Sequence, residues 1–246
     1  MATRILVSLL GACLSAGTIG AADIGGTVLI ERKLTRRSVT APAPVYQRGV
    51  AVPLDPKPAS KSNEDPLAFE RSHVVVYIDG AGLPTGPASA PGSGRATAEI
   101  QQQDRQFSPD MVVVPVGSTV SFPNLDAIFH NIFSLSKPRS FDLGNYPKGE
   151  TRTVAFPVPG IVYVYCHLHP NMSATIVVSP TQWSVRANPD GRFVLPAVPP
   201  GKYTVVAWHK AAGFVRKTVT VTENGAPPLV FDIPLTEGSQ KSVAQR

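Results

Sequence analysis

Three observations predict an all-β chain. Proline (25) and glycine (20) are abundant among the 246 residues. Valine-rich runs are short and end at turn residues, and no long segment carries the apolar repeat of a helix. A chain of this length with that pattern holds two small β-sandwiches.

The elements follow in order. Residues 1–22 read as a secretory signal peptide: Arg4 gives a positive start, 5–10 an apolar run, and Gly20-Ala21-Ala22 a small-residue cleavage pattern before Asp23. The apolar run is too short to span a bilayer, so the mature protein is expected to be periplasmic or secreted. A rival reading exists. Leu10-Gly11-Ala12-Cys13 resembles a lipoprotein signal, in which Cys13 is lipidated. Residues 23–82 hold strands at 27–30 and 74–78, separated by a proline-, lysine- and serine-rich loop over 53–66. Residues 83–94 are a linker by composition. The unit 95–180 carries strands at 96–101, 111–116, 119–122, 151–156, 161–166 and 174–178. The unit 181–236 restarts the pattern at 193–195, 203–208, 216–221 and 229–233. Asp190-Gly191 and Asn224-Gly225 are its hairpin signals. Residues 237–246 form a polar, flexible tail.

The formal charge is +6, and removing Arg4 with the leader leaves 22 Lys+Arg against 17 Asp+Glu, hence +5. A moderately basic surface suits steering of an acidic redox partner or association with an anionic membrane face. Basic residues are not interleaved with aromatics, which argues against nucleic-acid binding.

Only two cysteines occur, Cys13 and Cys166. If Cys13 leaves with the signal, Cys166 is a lone thiol in an oxidising compartment, and metal ligation is the natural reason to keep it there. Its surroundings agree. The run Tyr165-Cys166-His167-Leu168-His169-Pro170-Asn171-Met172 places a thiolate, an imidazole and a thioether on one tight loop, and His130 offers a second imidazole. Two imidazoles, a thiolate and a weak axial thioether are the ligand set of a blue-copper centre. Alternation over 161–166 puts Val162, Val164 and Cys166 on one face of a strand, with Cys166 at its inward-pointing end.

His130-Asn131 with Cys166-x2-His169-x2-Met172 resembles the cupredoxin family, and the loop spacing is most similar to its amicyanin branch. The resemblance implies a Greek-key β-sandwich over about 95–180 with one mononuclear type 1 copper at its end. His130, Cys166 and His169 would form the trigonal plane, with Met172 axial. It further implies that Asn131 hydrogen-bonds across to the Cys166 loop, that Pro170 stiffens that loop, and that His169 is the electron port. His167 departs from the pattern and points away from Cys166, toward the surface.

The segments 188–193 and 198–203 are similar to the carboxypeptidase-regulatory-like, or transthyretin-like, sandwich family. The strands expected to complete that sandwich lie near 26–28 and 75–77, before the copper unit, which implies that the copper unit is inserted into it. The whole arrangement resembles bacterial proteins labelled methylamine-utilisation proteins.

The expected function is therefore a periplasmic electron carrier, not itself an enzyme, whose partner is a redox protein such as a cytochrome or dehydrogenase. The alternatives are a copper-binding or adhesion and spacer module without electron transfer, and a copper nitrite reductase-like enzyme. A trinuclear copper cluster needs eight histidines, and the five here exclude it. His73 and His209 read as structural, and Asp126, Asp142 and Glu150 as turn residues.

Overall fold

A computed structural model describes residues 20–35, 65–80 and 98–233. The expected leader up to residue 19 with Cys13, the 83–94 linker, nearly all of the 53–66 loop and the 237–246 tail lie outside the described residues.

The chain opens with β1 (Ala22–Leu29), α1 (Ala68–Ser72) and β2 (Val74–Asp79). Ten strands follow: β3 (Ala98–Glu99), β4 (Gln101–Gln103), β5 (Gln106–Ser108), β6 (Met111–Pro115), β7 (Thr119–Pro123), β8 (His130–Ser136), β9 (Arg139–Tyr146), β10 (Thr151–Ala155), β11 (Gly160–Tyr165) and β12 (Ser173–Ser179). The last five are β13 (Ser184–Arg186), β14 (Arg192–Val198), β15 (Gly201–His209), β16 (Gly213–Val221) and β17 (Leu229–Asp232).

Strand pairing sorts these into two sandwiches. The outer one packs sheet β14-β1-β17 against sheet β13-β2-β15-β16. It is built from both ends of the chain: β1 lies antiparallel to β14 and parallel to β17, and β2 lies between β13 and β15. The inserted one packs β10-β7-β3 against β6-β12-β11-β8-β9, with a small β4-β5 hairpin beside them. Parallel pairs β6·β12 and β3·β7 show that the chain crosses between the sheets; hairpins alone cannot produce parallel neighbours.

Each sandwich has its own core. Ile24, Val28, Val76, Leu195, Val205 and Phe231 are buried in the outer one. Phe122, Ile132, Phe156, Val162, Ile176 and Tyr146 are buried in the inserted one. A third cluster of Val75, Met111, Val177 and Trp208 joins the two. This explains why β2 and β12 read as unbroken apolar runs. Ile176 and Val178 face the inserted core while Val177 faces the junction, so both sides of the strand are covered.

Polar contacts reinforce that junction. Arg186 donates through Nε to the carbonyl of Ser72 (3.0 Å) and through Nη1 to the carbonyl of Met111 (2.9 Å). His73 Nε2 lies 3.1 Å from Asp110 Oδ2, and Phe69 stacks on the His73 ring at 3.9 Å.

Three local expectations change. The strand over 96–101 is broken: β3 ends at Glu99, Ile100 is buried in the core, and β4 turns away to pair with β5. Asn224-Gly225 makes a tight turn, with reciprocal bonds between Thr222 and Gly225, but does not join paired strands. β17 leaves β16 to pair with β1 in the other sheet. The Asn188–Gly191 turn likewise joins strands of different sheets, β13 and β14. Gly191 N–H donates to Asn188 C=O (2.8 Å). Gly191 has φ +89°, and a Cβ there would stand 2.4 Å from the carbonyl oxygen of Val28, so only glycine fits.

Candidate metal centre

Two loops at one end of the inserted sandwich bring the site together. His130 is the first residue of β8 and Cys166 directly follows β11. The two strands are neighbours, with Tyr165 paired to Phe133. The pleat buries Val162, Val164 and Cys166 and leaves Tyr165 exposed, so the thiol points into the sandwich end. The chain then turns over His169-Pro170-Asn171-Met172, closed by Met172 N–H to His169 C=O at 2.9 Å. Pro170 takes the second position of that turn, where its fixed φ is already suitable.

The donor atoms converge. His130 Nδ1 and His169 Nδ1 are 3.1 Å apart. Cys166 Sγ is 3.9 Å from the first and 3.8 Å from the second. These three residues form the metal-competent group among the described residues. Edges of that size are spanned by N and S donors each about 2.0–2.3 Å from one shared ion, as in zinc sites. The donor set, two imidazoles and one soft thiolate, suits copper or zinc. Met172 is buried in the same core as Cys166.

Burial is asymmetric. His130 is wholly buried, whereas His169 is partly exposed. Burial lowers the His169 pKa, with the His130 and Arg105 charges adding to that effect and Asp126 opposing it. The shift favours the neutral ring, the form in which an imidazole binds a metal.

Two carboxylates expected to be turn residues belong to the site's surroundings. Asp126 Oδ2 lies 2.7 Å from His130 Nε2. Burial pushes the Asp126 carboxyl up, but the N–H of Arg105, the His130 ring and the N–H of Asp104 outweigh it, and the pKa ends below the ordinary value. Asp142 Oδ1 accepts from Asn131 Nδ2 at 2.7 Å and from the Gly144 N–H at 2.8 Å.

Asn131 thus departs from its expected bond to the Cys166 loop. An anionic acceptor on neighbouring β9 takes its amide hydrogen in place of a neutral loop carbonyl, as charge-assisted bonds are stronger. The loop is reached indirectly: Asp142 Oδ2 lies 3.7 Å from His167 Nε2. His167 itself is exposed and stacks flat on Phe133, with centroids 3.7 Å apart and planes 2° from parallel. The signal that could have found Asp126 is its spacing, four residues before His130. No sequence pattern marks Asp142, because its contacts depend on strand register.

The other histidines are engaged elsewhere. His73 pairs with Asp110. His209 is fully buried, 3.3 Å from the buried Glu70 carboxylate, though not aligned for a hydrogen bond.

The surface around the centre is apolar in part. Leu125 (40 %), Ile128 (37 %) and Phe129 (56 %) are exposed on the loop before His130, and Leu168 (48 %) beside His169. On the other side, a groove of about 780 Å3 runs from His169 and Asn171 past Arg105 and Phe107 to Phe69 and Asp110. No described helix is long and apolar enough to cross a membrane.

Fold and site together define an all-β protein of two joined sandwiches with a His–Cys–His group at the end of one. Residues 169–236 match the family described as the carboxypeptidase regulatory-like domain. The first matched residues, through β12, pair within the inserted sandwich, and β1 and β2 of the outer sandwich lie before the match. No curated protein matches the sequence. Similar solved structures include a copper-containing nitrite reductase from Thermus scotoductus SA-01, with 26% identity and TM-score 0.34, over 39% of this chain and 27% of that one. They also include a purple cupredoxin from Nitrosopumilus maritimus, with 26% identity and TM-score 0.31, over 33% of this chain and 99% of that one. A reduced Cu(I) amicyanin variant is similar at 20% identity and TM-score 0.33, over 42% of this chain and 98% of that one. The chain thus spans about a quarter of the nitrite reductase's length.

Proposed function

We propose that this protein is an exported electron carrier in which His130, Cys166 and His169, with Met172 as a weaker fourth donor, would hold one type 1 copper ion. The observation that carries the reading is the convergence of two imidazole Nδ1 atoms and one thiol sulfur within 3.1–3.9 Å of one another. Copper in such a set supplies one-electron redox chemistry.

The protein's own residues do the rest. A buried His130 and Cys166 keep water from one side of the site. The Pro170 turn fixes the distance between His169 and Met172. Little rearrangement is then needed when the charge of the site changes, because the donors are held by strands and a closed turn. Partly exposed His169 is the electron port, and the apolar side chains Leu125, Ile128, Phe129 and Leu168 form the face on which a redox protein docks. The signal-like leader and the lone thiol support a periplasmic location. A cytochrome or a dehydrogenase is the first partner to test.

A carrier is favoured over a nitrite reductase-like enzyme. Such an enzyme needs a second copper held by further histidines, and here His73 and His209 face Asp110 and Glu70, while His167 stacks on Phe133.

The test is copper titration of the mature protein, read by absorption and EPR, beside Cys166→Ser. One equivalent of copper should give an intense thiolate-to-copper band, a narrow copper hyperfine splitting and a reversible redox couple. The variant should lose the band. A wild-type protein that binds copper without colour or a reversible couple would leave a storage or handling role instead.

A further inference from the structure

We infer that Asp126 is a positioning residue of the metal centre: its carboxylate selects the His130 tautomer that aims Nδ1 at the ion, and its charge favours the oxidised state. The inference rests on the copper reading above.

The geometry leaves His130 little choice. An ionised carboxylate only accepts hydrogen bonds. With Asp126 Oδ2 at 2.7 Å, Nε2 must carry the hydrogen, and the Nδ1 lone pair then faces His169 Nδ1 and Cys166 Sγ. A carboxylate bonded to the far nitrogen of a ligating imidazole raises the basicity of the near one. The wholly buried ring feels this charge with little screening.

Asp126 is itself held. Its two oxygens accept from consecutive backbone N–H groups, Asp104 at 2.7 Å and Arg105 at 2.9 Å. Its own N–H donates to Asn124 Oδ1 at 3.0 Å. Asn124 is fully buried, and its Nδ2 donates to the carbonyls of Ile128 and Tyr146. Asp104 and Arg105 are the two central residues of the β4-β5 hairpin, with φ +54° and +56°. That turn type normally selects Asn-Gly or Asp-Gly. A strained Asp-Arg pair in its place presents both N–H groups to one carboxylate. The hairpin thus serves as a clamp that reaches the centre through Asp126 and His130.

The full mature chain, loaded with copper, tests this in wild type, Asp126→Asn, Asp126→Ala and Asp126→Glu. Asp126→Asn and Asp126→Ala should lose Cu(II) affinity about 10–100-fold and Cu(I) affinity much less. Each tenfold difference raises the reduction potential by about 59 mV. Asp126→Glu, which keeps the charge, should recover part of the shift. Nitrogen-15 NMR of the metal-free wild-type protein gives a readout that needs no variant to fold, and should show His130 already protonated at Nε2. Folded variants with unchanged potential, or a His130 proton on Nδ1, would overturn the inference while leaving the copper reading intact. A wild-type protein that takes up no copper would overturn both.

Discussion

His73 Nε2, at the C-terminal end of the only described helix, lies 3.1 Å from Asp110 Oδ2 at the entrance to β6, so this contact ties the outer sandwich to the inserted one. The His73 ring, first by its hydrogen bond and then by its charge, holds the Asp110 carboxyl below its ordinary value of 3.8. A depressed carboxylate stabilises the fold above that ordinary value, and the contribution is lost as pH falls through the lower folded-state value. Asp110 is 51% exposed, so water screens the pair, and it is worth about 0.2–1 kcal/mol. Asp110→Asn should lower the urea midpoint at neutral pH, and the two proteins should converge in strong acid. A constant gap across pH would contradict this.

The buried Glu70–His209 pair acts in a different pH range. Burial lowers the His209 pKa from 6.5, and the nearby His73 charge adds to this against the attraction of Glu70. Ala211 N–H donates to His209 Nδ1 at 3.3 Å, so the neutral ring carries its hydrogen on Nε2, toward Glu70. Below pH 6.5 the unfolded chain takes up a proton that the folded state resists. Unfolding free energy should therefore fall as the solution is acidified from 6.5 toward the lower folded-state value. Thermal melts across that range check the slope, which His209→Gln should flatten. His209→Ala leaves the Glu70 carboxylate buried beside a void and should cost about 3–5 kcal/mol.

Met172→Leu separates packing from ligation. Leucine nearly conserves the volume of a side chain only 1% exposed, so the loss of stability should stay below about 1.5 kcal/mol. Copper and the charge-transfer band should persist on the three remaining donors, while the reduction potential rises with loss of the axial thioether. Cyclic voltammetry beside a denaturation curve reads both. An unchanged potential would remove Met172 from the ligand set.

Trp208 belongs to β15 yet is buried against Val75, Met111 and Val177 at the junction. Trp208→Ala should cost about 3–5 kcal/mol through the cavity it leaves. It should also uncouple the sandwiches, giving two calorimetric transitions where the wild type gives one. A single, evenly shifted transition would show that the shared cluster does not couple them.

The all-β class was legible because proline, glycine and short valine runs constrain the backbone locally. The strand ending at Cys166 was legible for a similar reason: alternation over 161–166 assigns its faces without knowledge of any neighbour. β8 and β9 were not. In β8 the polar His130, Asn131 and Ser134 are buried while Leu135 is exposed, so the hydropathy of HNIFSLS does not name its inward face. The β4-β5 hairpin was hidden likewise, since Gln102 is buried only because its amide donates to Tyr146 Oη at 2.6 Å.

The sequence by itself determined the strand-forming character of the chain and the residue types and spacing of the Cys166–Met172 loop, since both depend on neighbours along the backbone. Tertiary structure decided what depends on register across strands. It set His130 beside that loop, gave Asp126 to its ring, and directed Asn131 to Asp142. It also set the register by which both ends of the chain pair in the outer sandwich, an arrangement the sequence resemblance had implied. Hydrogen-bond partners and burial are properties of packed surfaces, and no local run of residues specifies them.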